Sequence, residues 1–203
     1  MSISSPNFSN RQENNRVQRE LKHTRDLRVE VYKRADNLWD VEARLTDRKA
    51  NDFRLASGPR SASEPVHDMT VCVTINEQFD VLAASAQAHS VPYPGYCEVI
   101  TPAYEQLVGL NLLKNFNREV RIRLGKTHGC THMTELTAVM PTAAVQAFAG
   151  EVRRPSSIAN ADSPPFYIDG CHALARESRA VKDFYPQWFR QVPVKSQEEP
   201  SNN

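Results

Sequence analysis

The chain lacks an excess of charge of either sign. In 203 residues, 25 Lys and Arg stand against 24 Asp and Glu, a net charge of +1 with histidines neutral. No broad positive field is available to gather phosphates, so neither duplex nucleic acid nor a polybasic membrane anchor is expected. Long apolar runs are also missing. No stretch approaches the ~18 apolar residues of a membrane helix, and the first thirty residues contain no apolar core of an export signal. The expectation is a soluble, cytoplasmic protein. Cysteine is scarce, at four residues, and no C-x-x-C pair occurs, so a zinc ribbon or thioredoxin-like motif has no support and reduced thiols are expected. A Gly-rich phosphate loop, a G-x-S-x-G elbow and an H-E-x-x-H motif are absent as well.

What is present suits one globular domain: 40% of residues are hydrophobic, 24% charged and 8% aromatic. Residues 1–22 and 193–203 have little to bury and read as flexible tails around a domain at 23–192. Two polar stretches, Ala56 to Glu64 and Arg154 to Pro165, punctuate it. Leu27 to Lys33 and Trp39 to Leu45 carry apolar residues at odd positions and charges at even ones, with a turn at Asp36-Asn37, which predicts a hairpin. Val66 to Ile75 and Phe79 to Gln87 predict a second, with Met69, Val71, Val73, Ile75, Phe79, Val81 and Ala83 on one face. After Pro94 the period changes to about 3.6. Helices are predicted from Thr101 to Leu113, Asn117 to Leu124, Thr131 to Ala149, where Pro141 should kink or divide the helix, and Ser178 to Phe184. The fold class is α+β: an antiparallel meander of about four strands with helices packed on one face.

The candidate chemistry gathers where polar side chains take core-facing positions. His67 shares parity with Met69 and Val71, so it points to the covered face. A turn at Asn76 to Gln78 would set it opposite Gln87, with Ser85 and His89 nearby. On the long helix, His132, Glu135, Leu136, Val139, Ala143 and Ala147 make a stripe that begins with a histidine and a carboxylate. Cys130 stands at that helix's N-terminus, where the dipole favours a thiolate, and Gly129 lets the backbone approach closely. Each group taken alone also fits a structural role. Cys72 lies within an alternating run and reads as inert. The Val91 to Cys97 loop, with Tyr93 and Tyr96, would rim the polar sheet end and contact an aromatic or acyl group, or cover the core. Arg118, Arg121 and Arg123 suggest an organic acid or a solvated face. Cys171 and His172 either complete the site or anchor the last segment.

Three blocks, Val66-His67-Asp68-Met69, Pro92-Tyr93-Pro94-Gly95-Tyr96-Cys97 and Gly129-Cys130-Thr131-His132-Met133-Thr134-Glu135-Leu136, together resemble the signature of a bacterial domain-of-unknown-function family. The resemblance extends from Arg25 to Trp188 and includes the Tyr32 to Glu42 hairpin and the Asp169-Gly170-Cys171-His172-Ala173-Leu174 block. It implies no reaction. In that family the position of His128 is a small residue, so the resemblance implies Cys130, His132 and Glu135 in preference to His128.

The leading expectation is a small-molecule enzyme in which His67, His132 and Glu135 hold a divalent metal, zinc or iron. Two histidines and a carboxylate leave coordination positions open, as catalytic sites do. A metal-assisted hydrolase, lyase or isomerase acting on a small organic acid or ester follows. One alternative makes Cys130 a nucleophile with His67 or His132 as base. Another is a non-catalytic binding module with a structural metal or hydrogen-bond cluster. Substrate-binding roles are expected for Tyr93, Tyr96, Gln87 and Arg121, and a homo-oligomer is compatible with every reading.

Overall fold

A computed structural model describes residues 17–149, 163–165 and 167–191 of the chain. Most of the two predicted tails and residues 154–162 of the 154–165 stretch lie outside the described residues. By its contacts the chain divides into two compact units, Met1–Gln146 and Ala147–Asn203, whereas the sequence reading takes 23–192 as one domain. Among the described residues, no helix is long and apolar enough to cross a membrane.

The first unit is built on a four-stranded antiparallel sheet of order β1-β2-β5-β6, from β1 (His23–Lys33), β2 (Trp39–Lys49), β5 (His67–Ile75) and β6 (Val81–Ser90). The α+β class is as the sequence predicts. Between β2 and β5 the expected polar separator forms a small hairpin of its own, β3 (Phe53–Leu55) with β4 (Gly58–Arg60). Alternation places the core: in β2, Trp39, Val41, Ala43, Leu45 and Asp47 are buried, and the opposite face is wet. The fifth member of that apolar row is a carboxylate. Strand pairing sets it in line with two more polar groups, because Arg25 pairs with Asp47 in β1·β2 and Asp47 with His67 in β2·β5.

The second hairpin corrects the predicted register. Its loop runs from Asn76 to Asp80, closed by Phe79 N–H donating to Asn76 O at 3.0 Å and by Asn76 Oδ1 accepting from Gln78 N and Asp80 N. Phe79 sits at φ +67° in the left-handed region, with its ring buried. The irregularity at Thr74/Ile75 then switches the parity of β6 through Ala88, and the one at Asp68/Met69 restores it at Ser90. Gln87 pairs with Thr70 and Ser85 with Cys72. Ala84, Ala86 and Ala88 are the covered residues, and Ser85, Gln87 and His89 face outward. Gln87 is therefore not opposite His67, since one bulged residue moves every following side chain to the other face.

The predicted helix over 101–113 is a 3-10 segment at Glu98–Leu107 containing Pro102, and Gly109 at φ +82° follows it. Helices α1 (Phe116–Leu124) and α2 (Thr131–Phe148) are where the periodicity puts them. Pro141 lies inside α2 without dividing it. The buried positions of α2 are Met133, Leu136, Thr137, Met140, Ala144 and Phe148, so the predicted stripe is displaced by one residue, a rotation of about 100°. His132, Glu135 and Val139 flank that stripe, half-buried. In the second unit, α3 (Arg179–Phe184) starts at Ser178, whose hydroxyl accepts from Val181 N at 3.1 Å.

Candidate functional site

Asp47 is the centre of the site. It is 2% exposed, and its two oxygens accept from three side chains. Oδ1 takes Arg25 Nε at 2.8 Å and lies 3.0 Å from His23 Nε2; Oδ2 takes Arg25 Nη2 at 2.8 Å and lies 2.9 Å from His67 Nδ1. A carboxylate offers about four acceptor positions, so Asp47 is fully satisfied. Burial pushes its pKa up, but Arg25 and then His67 outweigh burial and hold it at about 2.

From α2, His132 approaches the same carboxylate: its Nε2 is 3.8 Å from Asp47 Oδ2, and its ring stacks on that of His67 with centroids 3.7 Å apart. Burial is the main cause that lowers the pKa of both imidazoles. Asp47 opposes it at each, while Arg25 reinforces it, and at His132 the neighbouring His67 does so too. Both rings are thus held towards the neutral form, which has a lone pair to offer. One atom each from Asp47, His67 and His132 lie within 4.8 Å of one another, a set that could hold a metal ion.

The turn entering α2 is fixed by Tyr104, a fully buried residue of the 3-10 segment. Cys130 N donates to Tyr104 Oη at 3.0 Å, and Tyr104 Oη donates back to Cys130 O at 2.9 Å. Cys130 O also accepts from Thr134 N, the first bond of the helix, which makes Cys130 the N-cap. At Gly129 a Cβ would collide with the backbone carbonyl of Leu124, so only glycine fits there. The Cys130 thiol lies 3.8 Å from His132 Nδ1 and 3.9 Å from Met69 Sδ. His132 therefore shows one nitrogen to a carboxylate and the other to a thiol.

The structure brings together His67, His132 and Cys130 from the sequence-predicted set. Glu135 is adjacent but engaged elsewhere: its Oε2 accepts from Arg25 Nη1 at 2.6 Å, and Asp47 stands where the sequence reading puts Glu135. Tyr93, Tyr96 and Arg121 are exposed and outside this group, and Gln87 and His89 are on the other face of the sheet. His128 is exposed in a short 3-10 turn. Cys171 and His172 belong to the second unit, where Cys171 is exposed. Sequence reasoning missed Asp47, Arg25, His23 and Tyr104. A signal for three of them existed: His23, Arg25 and Asp47 occupy odd positions, the parity of the apolar face.

The thiols give a direct check on this placement. Burial pushes Cys72 up to about 11, while Cys130 has a histidine beside it at a helix start. Mass-spectrometric mapping of iodoacetamide labelling at pH 7 should show Cys130 modified at least ten times faster than Cys72. Equal rates would remove any special reactivity from the Cys130 turn.

The chain belongs to DUF2889, a protein family of unknown function whose model matches residues 23–146. That span ends where the first compact unit ends and contains every residue gathered around Asp47. The Asp169 to Leu174 block lies beyond it. No curated protein and no solved structure matches the chain.

Proposed function

We propose that this member of a family of unknown function is a metal-assisted enzyme acting on a small organic acid or ester, a hydrolase, lyase or isomerase, with Asp47, His67 and His132 as ligands of a zinc or iron ion. The observation that carries this reading is the convergence of two neutral-leaning imidazoles and one ionised, buried carboxylate from three separate elements. Ligand atoms of a tetrahedral site with bonds of 2.0–2.1 Å stand about 3.3 Å apart. A cation would take the place of the His67 Nδ1 proton shared with Asp47 Oδ2, and the separations from that oxygen to His67 Nδ1 and His132 Nε2, 2.9 and 3.8 Å, straddle that value. Three protein ligands leave at least one position open, and a bound divalent ion would polarise a carbonyl or activate water there. Four free cysteines fit the reducing interior of a cell, where we place the activity.

Elemental analysis of protein purified without chelators or a chelating tag tests the reading. One zinc or iron per chain is expected, lost in His67→Ala and His132→Ala and retained in Tyr32→Phe on the outer sheet face. Added zinc at a hundred times its Kd should stabilise the metal-free chain by about 2.7 kcal/mol. A wild-type chain that holds no metal, and gains no stability from zinc, iron or manganese, overturns it.

One observation supports a second reading. Cys130 Sγ, His132 and Asp47 Oδ2 stand in line, 3.8 Å from thiol to Nδ1 and 3.8 Å from Nε2 to carboxylate, the order of a thiol nucleophile, its base and an orienting acid. A metal-free chain that turns over a small ester, and stops when Cys130→Ser is introduced, would move the assignment to this triad.

A further inference from the structure

The floor of the site is buried, but its edge is open. His23 is 37% exposed, Arg25 32% and Glu135 40%. Arg25 joins floor to edge. Its Nε and Nη2 donate to Asp47, and its Nη1 donates to Glu135 Oε2 at 2.6 Å. A guanidinium has five N–H donors in a fixed plane, so two remain after these three.

The two carboxylates on Arg25 are unequal. Asp47 is buried and accepts from three side chains. Glu135 is held from the flank of α2 through Arg25 at the open edge of the site, where water reaches the ion pair, so that it contributes little and its partner is easily exchanged. We propose that Arg25 is a carboxylate-binding subsite in which Glu135 is the resting occupant: the carboxylate of a small organic acid takes Glu135's place on Nη1 and engages a free N–H in the same plane. This names the substrate class of the site proposed above and rests on that reading for its context. Guanidinium is the suitable group because its fork matches a carboxylate in two parallel bonds, which an ammonium cannot do.

Charge gives the order of events. Asp47, Glu135 and Arg25 together carry one net negative charge when both imidazoles are neutral, so the vacant site repels an anion. A divalent cation on the floor reverses the sign to one net positive. Anion affinity should therefore rise when the cation is present, and Arg25 decides where the anion lands.

Calorimetric titration of the full chain with propionate, and with propionamide as the uncharged counterpart, tests the subsite. In the zinc-loaded state, wild type should bind propionate and not propionamide. Glu135→Gln, which removes the competing charge, should bind propionate at least threefold more tightly. Arg25→Lys, which keeps the charge but loses the fork, should bind it at least tenfold more weakly with zinc stoichiometry unchanged. The same three proteins treated with chelator should keep this order at lower affinity, so the test stands even if no zinc is held. Equal propionate affinity in the three proteins, or equal binding of propionamide, overturns the subsite. Absence of zinc from the wild type, read separately in each sample, overturns only the metal assignment.

Discussion

Replacing Asp47 with Ala in the chelator-treated chain is expected to lower the unfolding free energy by about 2–4 kcal/mol, a loss of roughly 5–15 °C in melting temperature. The cause is not a lost contact surface. Asp47 is the shared acceptor for Arg25, His23 and His67, and its removal leaves four donor nitrogens and one guanidinium charge without it. Arg25 and His23 are about one-third exposed, so water replaces part of what they lose, which keeps the expected loss below the ~3–5 kcal/mol seen for fully buried pairs. His67 has less access to water, and its Nδ1 bears most of the penalty. Asp47→Asn separates charge from shape, because the amide fills the same space while turning an NH2 towards donors. It should destabilise by at least 1 kcal/mol. Asp36→Ala, in the exposed hairpin turn, serves as the surface control. Urea unfolding that places Asp47→Ala within 0.5 kcal/mol of wild type would show that the network is hydrated and contributes nothing, since that is the usual scatter of surface substitutions.

The same residue shows how much of the site was legible in the sequence. Alternation between Trp39 and Leu45 predicted β2, and extending that parity by one step reaches Asp47, the acid on the apolar row. A two-residue turn at Asp36-Asn37 would set Arg25 opposite Arg48; the five-residue 34–38 loop pairs Lys33 with Trp39 instead, and that register sets Arg25 opposite Asp47. Thr46-Asp47-Arg48 reads as polar and ends the local strand signal at Leu45, while pairing with both neighbours carries the strand to Lys49. A partly buried row tolerates an acid when donors on each side satisfy it, and no local pattern reveals those donors in advance.

The β6 error had a different origin. A three-residue turn pairs Ile75 with Phe79, whereas the 76–80 loop pairs it with Val81 and the bulge at Thr74/Ile75 then turns β6 over; neither that bulge nor Phe79 at positive φ gives a compositional warning. In the sequence, His132 and Glu135 point to a face of the long helix one residue away from the buried one. Met133, Leu136 and Met140 cover the core more completely, leaving His132 on the flank, which is the position from which it reaches Asp47. Chemistry sits at the margin of the apolar stripe, where a side chain can be half-buried and still meet a ligand.

Acid titration of stability carries the second large effect. In the metal-free chain, His67, His132 and Asp47 all have folded-state pKa values below their ordinary values. For each, the unfolded chain binds the proton first as pH falls, so each contributes stability that is present above the unfolded value and lost on the way down to the folded one. The histidines act first, with losses beginning near pH 6.5 as unfolded imidazoles charge while the stacked pair resists. Asp47 acts later, between its ordinary value of 3.8 and its folded value of about 2, and that span corresponds to about 2 kcal/mol. Asp68, lowered by its hydrogen bonds from Arg44, titrates in the same acid region. Variants therefore have to separate the two steps. His132→Gln should reduce the slope of the urea midpoint between pH 6.5 and 5 and leave the acid step in place, whereas Asp47→Asn should shrink the acid step and leave Asp68's share. Stability that rises as pH falls below 6.5 would mean that the attraction of an imidazolium to Asp47 exceeds the cost of burying its charge beside Arg25. In that case His67 and His132 would enter the fold as cations and could not serve as metal ligands.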